Sequence, residues 1–286
     1  ATGDSLINIA VDYYRHHGDK QLLARSYLFK GAVCSRLGHN EEALRYYKEA
    51  ENTVPDTSIF TKGYIEFRIA QLYQTLYISD STAIIRYKQA LDFFRRSTNC
   101  QSRHYQGACL GEIGCCYDML GSDSAEIYLN ESLAVCEEIG DTVNACRYMS
   151  KLSIIYYYSN RYKEAKTVSM KLIDQSVTDL DDYQFYDIAV SCLAREGKID
   201  SARLVLAQKP YFGTALDSMN LCVDSAEIAQ AQGDMLNYYR LSYQGLLISD
   251  SLEYQSMQSQ LKDIEEKYDN QLLNAENQRI KNQNFR

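Results

Sequence analysis

Tryptophan is absent from this chain of 286 residues, and only 2 prolines and 14 glycines interrupt it. So few breakers exclude a loop-rich fold of short strands and predict long stretches of helix. No window approaches the ~20 apolar residues that a membrane-spanning helix needs. Residues Ala1–Ala10 hold no basic flank followed by an apolar run, so no secretory signal is visible in them. A basic excess is missing as well. The formal charge is −8 and the pI about 5.1. An acidic surface repels phosphate, which argues against nucleic-acid binding by this region and against attachment to anionic lipid. General disorder is excluded, because 45% of the residues are apolar.

Catalytic and metal signatures are equally scarce. The four histidines are His16 and His17 before Gly18, His39 in a turn, and His104 alone; none has an i, i+4 histidine partner. The nine cysteines form no CxxC pair. Most fall in helical patterns where alanine would also fit, so they read as small buried hydrophobes. Cys115 and Cys116 are adjacent and point to different faces of a helix, which suits neither a metal nor a disulfide. Gly107, Gly111 and Gly114 lie at helical spacing, a pattern for close helix packing rather than a phosphate cradle. Acidic pairs such as Glu41-Glu42, Glu137-Glu138, Asp181-Asp182 and Glu265-Glu266 read as wet helix faces. No nucleophile and base come together, so no enzyme, cofactor or metal is expected.

What is present is a repeat. In ARSYLFKGAVCSRLGHNEEALRYYKEAENTVPD, from Ala24, Gly31 sits within one amphipathic run and Gly38 ends it. Asn40 is placed to cap the next helix. Ala43, Tyr47 and Ala50 then recur at i, i+4 and i+7, and Pro55 closes the unit. Small residues let helices approach, the tyrosine fills the space between them, and proline cannot continue a helix. The pattern returns four times. The small mid-helix residues Gly31, Ala70, Gly114, Ser153 and Ala189 precede Ala43, Ala83, Ala125, Ala165 and Ala202 by 12, 13, 11, 12 and 13 residues. One-residue drift belongs in turns, so the packed helices keep their register. A sixth, poorer unit runs through Ala226, Ala229, Gly233-Asp234 and Tyr238, where Tyr238 replaces a small residue; in the fifth unit Lys209 takes an apolar slot. Leu6–His17 resembles the second helix of a repeat without its first. Asp80-Ser81, Asp123-Ser124 and Asp200-Ser201 precede second helices as caps, with Asp123 and Glu126 in capping-box spacing.

These residues resemble the tetratricopeptide repeat family over roughly residues 5–250. The resemblance implies an all-α fold, a right-handed α-α superhelix, with five to six helix pairs behind an N-terminal half-unit in residues 1–250. It also implies a non-catalytic scaffold that takes a protein or peptide along its concave face. By the family's geometry the first helices supply that face: Arg25, Leu28, Ala32 and Ser35, then Tyr64, Phe67, Gln71 and Gln74. Further along come Cys115, Asp118, Arg147, Ile154 and Tyr157, then Tyr183, Tyr186 and Val190. Most of the 25 tyrosines read as packing rings of the repeat; Arg25, Arg147, Tyr64 and Tyr157 are the exposed candidates.

Residues 251–286 form a separate helical tail, with an apolar stripe at Leu252, Leu261, Ile264, Tyr268, Leu272, Ala275 and Ile280. It reads either as a cap over the end of the array or as a linker helix that pairs two copies. The run SLINIAVDYYRHHGDKQLLARSYLFKGAV and this tail are similar to segments of Bacteroidetes extracytoplasmic tetratricopeptide proteins. That resemblance implies the sensor-side fragment of a membrane-anchored signalling protein, periplasmic, with its membrane segment outside this chain. The alternative is a cytoplasmic peptide-responsive regulator on the same repeat.

Overall fold

The structure, a computed structural model, describes residues 3–76, 79–175 and 183–284. Among the described residues every regular element is an α-helix. The chain divides into two compact units, Ala1–Phe185 and Tyr186–Arg286. The side chains of Leu272, Ala275 and Ile280 and the pair Asp181-Asp182 lie outside the described residues.

In the first unit α1 (Gly3–His17) packs on α2 (Lys20–Arg36). Then follow α3 (Asn40–Thr53), α4 (Ile59–Thr75), α5 (Asp80–Arg96), α6 (Ser102–Met119), α7 (Ser124–Ile139), α8 (Thr142–Tyr158) and α9 (Tyr162–Asp174). They pack as antiparallel pairs α2–α3, α4–α5, α6–α7 and α8–α9, and the first helices α2, α4, α6 and α8 also touch in succession. The expected register is present. Ala43, Ala83, Ala125, Ala165 and Ala202 are all buried, opposite buried Gly31, Ala70, Gly114, Ser153 and Ala189.

Glycine sets how close the helices come. A Cβ at Gly31 would lie 2.5 Å from the ring of Tyr47, and one at Gly111 would overlap the ring of Tyr148. Both rings are fully buried. At Gly114 the neighbour is Leu129 Cγ, at 2.7 Å. Turns between helices also follow the sequence. Gly38 closes the first pair's turn at φ 78°, and at the α8–α9 turn, which has no glycine, Asn160 adopts the same left-handed conformation at φ 61°. Six cysteines are buried and Cys115 and Cys222 partly so, leaving Cys100 exposed.

The helix starts depart from expectation. Asp123 occupies the cap position of α7 in helical conformation, and its side chain caps nothing. Glu126 turns away to Arg161, with Nη1 donating to Oε2 at 2.7 Å, so the expected capping box does not form. Ser79 rather than Asp80 caps α5, accepting from Thr82 N at 3.2 Å, and the cap position of α11 falls on Lys198. Asn40 lies inside α3 behind His39. A capping box does form, unforeseen, between Thr214 and Asp217.

Ion pairs tie repeats together. Arg86 Nη1 of α5 donates to Glu51 of α3 and to Glu66 of α4, both at 2.7 Å. Glu51–Arg86 and Glu126–Arg161 are each 35 residues apart, a little less than the 40 that separate Ala43 from Ala83 and Ala125 from Ala165, and each links the second helices of successive pairs, Arg161 from the cap position of α9.

In the second unit α10 (Gln184–Arg195), which opens at the division, is followed by α11 (Ile199–Gln208), α12 (Ala215–Ala231) and α13 (Met235–Asn284). Lys209, in its formally apolar slot, is ion-paired with Asp187 of α10 and lies 3.4 Å from Asp224 of α12, which is 3% exposed. Burial, reinforced by the neighbouring Asp187, pushes Asp224 up to about 8. The first part of α13 packs on α12, with Gly245 against Cys222. The helix continues through residue 250 without a break. Leu252 is half-buried, whereas Tyr254, Met257, Leu261, Ile264 and Tyr268 stand exposed. Among the described residues no helix is long and apolar enough to cross a membrane.

Since Tyr148 is held at ring and hydroxyl, it has little freedom to retreat. Gly111→Ala is expected to destabilise the protein by about 1–3 kcal/mol through overpacking, despite alanine's better helix propensity. Gly245→Ala, whose Cβ meets Cys222 at an ordinary 3.5 Å, should be neutral or stabilising. Urea denaturation of both variants checks this; equal stabilities would refute the close-approach account.

Candidate functional site

One face of α4 carries Tyr64, Arg68, Gln71 and Thr75 at i, i+4, i+7 and i+11. The same geometry places Arg25, Leu28 and Ser35 on α2, and Tyr105 and Glu112 on α6. Because these first helices touch in succession, their faces merge into one surface that holds two cavities.

The smaller cavity, about 320 Å³, lies toward the C-terminal ends of α2 and α4. It brings together the expected residues Ser35, Gln71 and Gln74 with Tyr47, read from the sequence only as a packing ring, and with Arg68 and Glu112, which sequence reasoning did not single out. Arg68 Nη1 donates to Gln71 Oε1 at 3.0 Å, and its Nη2 donates to the Tyr47 hydroxyl at 3.2 Å. Tyr87 Oη donates to Gln74 Oε1 at 2.9 Å. Tyr148 Oη donates to Glu112 Oε1 and to the Ala108 carbonyl, each at 3.3 Å. The cavity wall is therefore polar, with side chains fixed from behind by buried tyrosines.

Glu112 is its charged centre. Burial raises its carboxyl above the ordinary carboxylate range; the charge of Arg147 opposes this most, followed by hydrogen bonds from Gln74 and Tyr148 and the charge of Lys151. Glu112 sits in the small-residue run ACLGEIGCC, where a lone carboxylate among packing residues was the available signal.

The larger cavity, about 710 Å³, lies at the N-terminal ends of the same helices and is bordered by Arg25, Leu28 and Tyr64. The remaining predicted residues do not converge on either cavity. Phe67 lies on the expected face but is 6% exposed and belongs to the core, as does Leu28 at 3% although it borders the larger cavity. Tyr186, at 7%, is likewise a core residue, in the second unit. Asp118, Ile154 and Tyr157 are half-buried, and the Tyr157 ring packs edge-on against Tyr158 and Tyr162. Arg147 is exposed and acts on Glu112 through its charge. Tyr183 is half-buried, with its ring 6.1 Å from that of Phe185.

By sequence the chain matches no family model and no curated protein. Solved structures do match its backbone. The apo form of RapI aligns with a TM-score of 0.61 at 14% identity, over 85% of this chain and 80% of RapI. The apo form of the quorum sensor NprR from B. thuringiensis gives 0.55 at 15%, over 87% and 82%. The Rap conjugation gene regulator of the plasmid pLS20, solved in complex with a Phr peptide, gives 0.50 at 14%, over 82% and 76%. The fold is an α-α superhelix of the tetratricopeptide type. At such identities the likeness concerns the fold alone, and the array's ligand has to be argued from its own side chains.

With its carboxyl raised, the folded tetratricopeptide-type array holds the Glu112 proton more tightly than the unfolded chain does. Stability from this group is full below the ordinary glutamate pKa and is lost as pH rises through the folded value. Glu112→Gln, which cannot ionise, is expected to raise the thermal midpoint at about pH 7 and to change it little at about pH 4. Melting curves across that range read the difference; a variant that parallels the wild type throughout would sink this account of Glu112.

Proposed function

We propose that the chain is a peptide-binding scaffold that works by recognition rather than catalysis. The observation that carries this is the smaller cavity. Arg68, Gln71, Gln74 and Glu112 line the open space, with tyrosine hydroxyls behind Arg68, Gln74 and Glu112 fixing their orientation and Arg68 in turn holding Gln71. Preorganised polar side chains on rigid helices suit an extended peptide, whose amides need partners when they leave water. The cavity holds a cation at Arg68 and a carboxyl at Glu112, on which the charge of the nearby Arg147 acts, so the site can read side-chain charge as well as backbone. The fold's likeness to RapI, NprR and the Rap regulator solved with a Phr peptide supports a peptide-responsive regulator over a membrane-anchored sensor.

Selection from a displayed peptide library on the purified chain tests the proposal. Arg68→Ala and Arg147→Ala should each weaken a selected peptide about tenfold, with helicity retained. Tyr157→Ala should have a smaller effect, because that ring is engaged with other tyrosines. Binding that is indifferent to both arginines would overturn the placement of the site.

A second element of the reading is pairing of two copies through α13. Its exposed residues Tyr254, Met257, Leu261, Ile264 and Tyr268 are spaced 3, 4, 3 and 4, the a/d spacing of a coiled coil. The sequence stripe obscured this, because it began at Leu252, which is half-buried and off this line. Sedimentation at increasing concentration should show a dimer that Leu261→Lys abolishes without loss of the array's helicity. A wild type that stays monomeric throughout excludes pairing.

A further inference from the structure

The cavity of about 710 Å³ at the N-terminal ends of α2, α4 and α6 is within the size range of small-ligand sites, about 300–1,000 Å³. Its lining sets a cluster of aromatic rings among neutral polar side chains such as Thr57, Ser58, Asn99 and Gln101. The Tyr105 ring lies 5.1 Å from that of Tyr64 and 5.8 Å from that of Phe60, centroid to centroid, and all three residues are half-buried and border the cavity. Its charge is the opposite of the chain's. Among 38 acidic residues in the sequence, none lines this cavity, whereas Arg25 and Arg96 both do.

The two arginines are not equivalent. Arg96 donates from Nη1 to Asp92 at 2.9 Å, so its charge is matched. Arg25 is exposed and has no ion pair among the described residues. One unmatched positive charge at the edge of a cavity that also holds aromatic rings balances one negative charge. A phosphate monoester, close to a dianion, would leave charge uncompensated there.

We infer that this cavity binds an apolar monocarboxylate, its carboxylate on the Arg25 guanidinium and its hydrocarbon or aromatic body on Phe60, Tyr64 and Tyr105. The guanidinium fork accepts a carboxylate bidentately, and offset or edge-on rings add to the burial of an aromatic body. Two sources supply such a group: the last residue of a peptide, or a free aryl acid. The peptide source rests on the peptide-binding proposal above; the cavity's chemistry does not. On α4, Tyr64 and Gln71 are about 10 Å apart at 1.5 Å per residue, so a peptide ending in this cavity would reach the smaller one within a few residues.

Calorimetry on the full chain with N-acetyl-phenylalanine, its primary amide, and a seven-residue peptide ending in phenylalanine tests the inference. The acid is expected to bind at least about tenfold more tightly than the amide. Arg25→Gln should remove that difference, and Arg25→Lys should restore part of it. Arg25 is exposed, so both variants should keep the fold, and circular dichroism checks that they do. Equal binding of acid and amide, no binding of the acid, or an acid affinity unchanged in Arg25→Gln overturns the assignment. A peptide that binds more tightly than the acid, and weakens with Arg68→Ala, identifies a chain terminus as the source. Acid binding that equals peptide binding and ignores Arg68 identifies a free acid, and would leave this cavity standing while the peptide proposal fell.

Discussion

Close approach of helices around a buried tyrosine ring, within a pair at Tyr47 and between successive first helices at Tyr148, is the constraint on which the rest of the first unit depends. Tyr47 sits over Gly31 and Tyr148 over Gly111, at positions where even a single added carbon has no room. Tyr87 is fully buried one repeat on from Tyr47. A phenylalanine of the same size would pack as well, yet the chain has 25 tyrosines against 8 phenylalanines. The hydroxyls show what the difference brings. Tyr47, Tyr87 and Tyr148 each extend through the core to a polar side chain of a first helix: Arg68, Gln74 and Glu112. The residue that sets helix spacing therefore also aims the residue that faces the cavity, and packing and recognition cannot vary independently.

That coupling explains which parts of the site were legible in the sequence. The resemblance to the tetratricopeptide family assigned Ser35, Gln71 and Gln74 to the concave face, and these three line the smaller cavity, whereas periodicity locates only a helix face. It cannot tell which residues on that face remain open once neighbouring helices arrive, and so Leu28 and Phe67 fell to the core. Nor can it recognise a carboxylate that is tolerated inside a packing run. Glu112 lies among residues that read as helix contacts, and its partners, the Tyr148 hydroxyl 36 positions on and Gln74 of the preceding first helix, are visible only in the fold. The fold was read more fully than the site, because its signal is repeated five times and each small residue fails or succeeds for one local reason.

Helix starts show the opposite case, a strong local signal overridden by a distant partner. Asp123 and Glu126 have the spacing of a capping box, but Arg161, 35 residues on at the start of the next second helix, takes the Glu126 carboxylate at 2.7 Å. A charge-assisted bond across repeats competes with a cap worth about 1 kcal/mol, and here the carboxylate is found on the arginine. Glu51 and Arg86 repeat the arrangement at the same separation of 35 residues. In a chain of stacked units, such ion pairs join one helix pair to the next, alongside the contact of Gly111 on α6 with Tyr148 on α8.

Lys209 makes a related point in the second unit. By the repeat pattern it occupies an apolar slot, and a lone ammonium there would be costly to bury. Asp187 and Asp224 come from two different helices to meet it, and burial holds Asp224 well above the carboxylate range, so the cluster carries less negative charge than two ionised aspartates would. The departure from pattern is thus compensated within the same unit by residues more than ten positions away in either direction. Where a repeat loses its apolar residue, the unit is held by a specific polar contact instead, and such a contact tolerates fewer substitutions than the alanine-and-ring packing it replaces.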